Sequence, residues 1–210
     1  MITCTFLFDK IWYNLISGNM NYEDEITVEL NASLEYIKNN YKVINEYDIN
    51  DIYIVDKNID LNEDYLKILS KCVLIRDIIK KDKPKKTITY KYKKYNDKMK
   101  LEKQGSIDCL IDSIENAKML FEAINFKELI HLNDHLIVYT NGKDEFALQI
   151  VNNKHIYIEI ESECKITGNI YNSIDEMKNV IKKLNIPLMN DNYFVRKALN
   201  EMVETLNKKW

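Results

Sequence analysis

The chain has 210 residues, 46% hydrophobic and 30% charged, with a formal net charge of −3. That is enough for one sizeable domain or two small ones, apolar enough to bury a core and charged enough to stay in water. Four glycines and two prolines exclude a collagen-like or linker-rich chain, and the slight acidity makes no general case for nucleic-acid binding.

The start, MITCTFLFDKIWYNLISG, is apolar but lacks the basic region and cleavage site of a signal peptide. Phe8, Trp12, Leu15 and Ile16 share one helical face, with Gly18 as a stop. Residues 1–22 therefore read as an N-terminal docking extension, and 23–210 as a single domain. No apolar run reaches the roughly 18 residues of a membrane span, so no membrane is expected. Cys4, Cys72, Cys109 and Cys164 are far apart and form no C-x-x-C pair, which points to a reduced, cytoplasmic protein.

EITVEL, residues 25–30, alternates as a strand, and NASLEYIKNNY has helical spacing at Leu34 and Ile37 with Asn31 or Ser33 as a cap. DIYIV is a strand, NEDYLKILSK a helix, CVLIRDI a β-rich run, and KKTITYKYKK a strongly alternating strand. A second round follows: LEKQGSIDCLI as a strand, DSIENAKMLFEAIN as a helix capped by Ser113, and two strands around TNGK, where Asn-Gly tolerates positive φ. HIYIEIESE is another strand. NSIDEMKNVIKKLNIP is a helix with a Ser173…Glu176 capping box, and NYFVRKALNEMVETLNKKW closes as a helix.

The alternating strands share a plan. One parity is apolar: Ile26 and Val28, Ile88 and Tyr90, Ile158 and Ile160. The other carries charge: Glu25 and Glu29, Arg76, Lys91 and Lys93, Glu102, Glu159 and Glu161. Like charges about 7 Å apart on one strand face repel unless water, cations or basic side chains compensate. Acids and bases lie on different strands, so helices over the apolar face would leave the charged faces opposed across a closed or nearly closed barrel. The fold class is α+β, one domain with a mainly antiparallel sheet.

This layout resembles the CYTH family, the triphosphate tunnel metalloenzymes, which includes class IV adenylate cyclases, thiamine triphosphatases and inorganic triphosphatases. The resemblance runs from about Glu25 to Leu206. EITVEL stands at the family's opening E-x-E-x-K strand, DINDIYIVD at D-x-Y-x-x-D, VLIRD at L-R-I-R, TITYK at L-T-x-K, KLEKQ at R-x-E-x-E and IYIEIE at the late E-x-E strand. It implies an eight-stranded antiparallel tunnel-like barrel with helices packed outside, in which acids hold Mg²⁺ or Mn²⁺ and bases grip a triphosphate. On this chain the metal positions are Glu25, Glu102, Glu159 and Glu161. The phosphate positions are Arg76, Lys91, Lys93 and Lys100. Hard divalent cations choose carboxylate oxygens, and phosphoryl transfer needs positioned positive charge more than a protein nucleophile.

The pattern is incomplete. Thr27 replaces the second Glu of the first motif and Glu29 its Lys, and Leu74 replaces the first Arg of L-R-I-R. Asp134 and Leu136 fall where a Lys and an Arg belong, and Gln149 falls where a metal-binding Asp belongs. Three functions stay open. One is a tunnel that binds a nucleotide or other phosphorylated small molecule with reduced or no triphosphate hydrolysis. The second is an active divalent-metal-dependent triphosphatase or adenylate cyclase of altered specificity. The third is a non-catalytic interaction scaffold that meets a protein partner through residues 83–100.

Outside that pattern, His131 and His135 lie in an extended segment, about 13 Å apart, too far to share a metal. His155 reads as a strand-end residue, Cys72 and Cys109 as core, and the tyrosines of YKYKKY as sheet packing rather than RNA stacking.

Overall fold

The computed structural model describes residues 21–22, 25–31, 41–95 and 101–207. The expected N-terminal helix, most of the expected helix after residue 31, and Lys100 lie outside them.

Nine strands form one antiparallel sheet: β1 (Asn21–Tyr22), β2 (Glu25–Glu29), β3 (Lys42–Asp56), β4 (Val73–Ile79), β5 (Lys85–Tyr95), β6 (Leu101–Leu110), β7 (Phe126–Thr140), β8 (Glu145–Val151) and β9 (His155–Glu161). Eight have five or more residues, and β1 adds two residues at one edge. Their order is β1-β6-β5-β4-β3-β7-β8-β9-β2. Eight inter-strand steps of about 4.8 Å would separate the edges of a flat sheet by about 38 Å. Yet Tyr22 of one edge and Glu25 of the other are only three residues apart, a link that spans at most about 11 Å. The sheet is forced to roll up. Hydrogen bonds do not close it, because among the described residues β1 and β2 each pair with one strand. The free edge of β2 is covered instead by residues 187–195: Thr27 N–H donates to Tyr193 O at 3.1 Å, Val195 N–H to Thr27 O at 3.0 Å, and Met189 N–H to Glu29 O at 2.9 Å. That cover removes a template for strand addition.

Among the described residues there are four helices: α1 (Tyr65–Ser70), α2 (Ile114–Ala123), α3 (Ile174–Leu184) and α4 (Lys197–Asn207). Short polar side chains start three of them. Asp64 accepts from Leu66 N and Lys67 N, Ser113 from Asn116 N, and Ser173 from Glu176 N. Helix α3 lies on the outer face, where Met177, Val180 and Ile181 pack with Ile26, Val28, Ile158 and Ile160. Those four strand residues are fully buried, and each contributes about 1.5–3 kcal/mol by leaving water. Helix α2 covers Ile52, Ile54 and Ile75 through Ala117.

Helices α1 and α4 do something the alternation did not suggest. Ile68 of α1 and Met202 and Leu206 of α4 join Tyr53, Leu74, Leu132 and Tyr157 in a third cluster. Tyr53, Leu74 and Leu132 line the interior of the roll, so these two helices stop one end of it rather than lie on its outside.

Cys109, expected in the core, is exposed. Helix α2 makes its main sheet contacts with β4 and β7, and Ile107, on the same face of β6 as Cys109, is exposed too. Cys72 is buried as expected. Strands β3 and β7, at 15 residues each, extend well beyond DIYIV and HLIVYT.

Candidate functional site

The rolled sheet encloses a cavity of about 600 Å³. Of the residues singled out from sequence, Glu25, Arg76, Lys91, Glu159 and Glu161 line it together. Register explains why: Glu25 pairs with Glu161 and Thr27 with Glu159 across β2 and β9, and paired residues share a face. Lys93 sits in β5 opposite Gln104 of β6, and Glu102 belongs to β6. The side chains of Lys93 and Glu102 lie outside the described set.

Seven acidic and six basic residues line the cavity, so its formal charge is nearly balanced. The balance is local, acid by acid. Glu161 meets Lys165 Nζ at 2.6 Å. Glu29, at the end of β2, meets His155 Nδ1 at 2.8 Å, and His155 Nε2 meets Glu204 of α4 at 2.6 Å. His155 therefore bridges the β2 edge to α4. Burial works against its charge, but the hydrogen bonds to Glu29 and Glu204 prevail and raise its pKa. Glu159 meets Lys197, the first residue of α4, at 3.3 Å. The carboxylate ladder is thus matched by basic side chains of the same chain.

Lys197 is the centre of the acidic wall. Its Nζ lies 3.5 Å from Asp134 Oδ2 of β7 and 3.3 Å from Glu159 Oε2 of β9, and it donates to Gln149 Oε1 of β8. Burial opposes its charge, yet Glu159 and then Asp134 outweigh burial and raise its pKa. Burial would raise the Glu159 carboxyl, but Lys197 and Lys91 hold it below the usual carboxylate range. Asp134 is pushed up by burial, with Glu159 adding to it against Lys197. Its Oδ1 is buried with no hydrogen-bond partner.

Across the cavity, Arg76 Nε and Nη2 donate to the two oxygens of Asp51, both at 2.6 Å. This is the bidentate fork–carboxylate pair. Burial opposes both charges; the pairing prevails, raising Arg76 and lowering Asp51. Lys91 differs. It is walled by protein yet open to the cavity's water, and among the described residues it has no hydrogen-bond or ion-pair partner. Burial and then the positive charge of Arg76 depress its pKa.

The chain's alternation made Glu25, Arg76, Lys91, Glu159 and Glu161 legible. It did not reveal Lys197, which sits at the start of a helix with no periodic mark. The only available signal was indirect: Asp134 in place of a base leaves surplus acid on the wall, which demands a cation from elsewhere. Among the described residues no three His, Cys, Asp or Glu side chains are grouped to hold a metal ion. The oxygens of Asp134, Gln149 and Glu159 turned toward the cavity already face Lys197, so a Mg²⁺ or Mn²⁺ ion does not fit between them as they stand.

No protein-family profile and no curated protein matches this sequence. Solved structures do. The PH1819 protein of Pyrococcus horikoshii aligns over 90% of this chain and 100% of its own, with a TM-score of 0.61 and 15% identity. The PH1012 protein of the same organism aligns over 85% and 99%, with a TM-score of 0.51 and 18% identity. A proposed adenylate cyclase from Vibrio parahaemolyticus aligns over 88% and 98%, with a TM-score of 0.50 and 11% identity. At such identities the likeness shows the fold: one antiparallel, tunnel-like sheet with helices. Among the described residues no helix is long and apolar enough to cross a membrane.

Proposed function

We propose that this chain is a CYTH-like tunnel protein that binds a nucleotide or other phosphorylated small molecule in its cavity, with slow or no triphosphate hydrolysis. The observation that carries this reading is Lys91, a solvent-open cationic side chain on the cavity wall that has no hydrogen-bond or ion-pair partner among the described residues and is repelled by Arg76. A phosphate between Lys91 and Arg76 would remove that repulsion and give each cation an anionic oxygen. The likeness to a proposed adenylate cyclase is compatible with a nucleotide as the ligand.

Slow turnover follows from what else lines the wall. Thr27, Leu74, Leu136 and Gln149 face the cavity, at positions where the resemblance calls for charge. One lost electrostatic donor costs about 3 kcal/mol of transition-state stabilisation, so several together remove most of an enzyme's rate. A thermal-shift series with ATP and tripolyphosphate tests binding, since a ligand at 100 times its Kd adds about 2.7 kcal/mol to stability. A clearly larger stabilisation of wild type than of Lys91→Met is expected, with phosphate release far below about 1 per second. Equal shifts in the two proteins would reject the site, and release at ordinary enzyme rates would reject the account of turnover.

A further inference from the structure

We propose that the Lys197 ammonium is a resident cation that occupies the acid cluster of the tunnel in place of a divalent metal ion, so that the wild-type chain holds no such ion there. The inference goes beyond phosphate binding and does not depend on it.

The coordination supports an ammonium. Lys197 has three N–H donors, and three acceptors converge on it from three neighbouring strands: Asp134 of β7, Gln149 of β8 and Glu159 of β9. A divalent ion would need oxygens at about 2.0–2.1 Å for Mg²⁺-sized coordination. The volume between these oxygens is taken by Nζ. Gln149, a neutral amide, suits this arrangement: the two carboxylates and the ammonium then sum to one net negative formal charge.

The lysine is also delivered from a fixed backbone. Val195, two residues before it, is bonded to Thr27 of β2 at 3.0 Å. Beyond it, Asn200 donates to the Tyr157 hydroxyl at 3.1 Å, and Met202 is fully buried in the cluster that stops the tunnel. The backbone that carries Lys197 is thus held at both ends, beside β2 and in the cluster that stops the tunnel. One more feature points to a latent ion site beneath it. Asp134, nine-tenths buried, keeps Oδ1 without a partner. Removing the ammonium would add Asp134 Oδ2, the Gln149 oxygen and the Glu159 carboxylate to that unpartnered oxygen, a set of hard donors suited to a small divalent cation.

The experiment is a Mn²⁺ titration of the full-length chain, followed by the loss of the free-ion electron paramagnetic resonance signal. Wild type, Glu159→Gln, Lys197→Met and the Lys197→Met/Glu159→Gln double variant are compared after circular dichroism establishes their fold. Wild type and Glu159→Gln should titrate identically. Lys197→Met should gain about one Mn²⁺ per chain, bound at least about tenfold tighter than by wild type, and the double variant should lose it. The proposal is overturned if wild type holds a Mn²⁺ that Glu159→Gln releases, or if folded Lys197→Met gains none. If Lys197→Met does not fold, the comparison of wild type with Glu159→Gln decides alone. Identical titrations support the resident ammonium, and an ion dependent on Glu159 rejects it. The metal alone is the probe, so failure here leaves the phosphate reading standing.

Discussion

Replacing Lys197 with Met keeps most of the stem's packing and deletes the charge. It leaves Glu159 and Asp134, with side chains only 16% and 10% exposed, facing each other across the space the ammonium held. Breaking a buried ion pair by removing one partner costs about 3–5 kcal/mol, because the remaining charge is uncompensated. For a chain of this size each kcal/mol lowers Tm by about 2–4 °C, so Tm at pH 7 should fall by about 6–20 °C. The loss should depend on pH. Without the cation, burial and mutual repulsion raise both carboxyl pKa values above the unfolded values near 4. Groups with raised folded pKa values favour the folded state when protonated, and that advantage fades as pH rises through the folded values. The variant's deficit should therefore be smaller at pH 5 than at pH 7. Adding Glu159→Gln should recover part of the loss at pH 7, because one of the two orphaned charges is gone. Thermal unfolding followed by circular dichroism at both pH values measures all of this. A deficit below about 1 kcal/mol at pH 7, or one equal at pH 5 and pH 7, would refute the reasoning.

Arg76→Lys should destabilise despite keeping the charge, by about 1–3 kcal/mol in urea unfolding, because a lysine cannot reproduce the two bonds that bind Asp51. His155→Gln should cost about 1 kcal/mol at pH 6, where the imidazolium joins Glu29 to Glu204. The raised pKa of His155 places that contribution fully below its unfolded value of about 6.5, and it should vanish as pH climbs through the folded value. Unfolding free energies at pH 6 and pH 9 check it, with a converging difference expected.

The parity of the strands was legible because one face meets helices. Ile26, Val28, Ile158 and Ile160 had to alternate with Glu25, Thr27 and Glu159 for α3 to cover one side. The first half of β3 was not, because Lys42 through Asn50 has an exposed or half-buried face on each side, and no apolar stripe marks it. Cys109 misled for a related reason: its neighbours Ile107 and Leu110 look like core, yet both are exposed. The site divides the same way. Charges on alternating strands announced themselves, whereas Lys197 depends on how α4 docks, a tertiary outcome with no local period. Asp51 was visible as part of a strand but not as the partner of Arg76. That pair depends on the β3–β4 register, in which Asp51 stands opposite Arg76.

The measurement closest to the central claim is titration calorimetry of tripolyphosphate into wild type and Lys91→Met, in EDTA. Lys91 has no described partner and lines the cavity with Arg76, and Lys197 already supplies the charge of the acidic wall. Wild type should therefore bind about one tripolyphosphate per chain without a divalent cation, and Lys91→Met should weaken that binding by about tenfold or more, the equivalent of about 1.4 kcal/mol. No binding by wild type, or the same affinity in both proteins, would contradict the account.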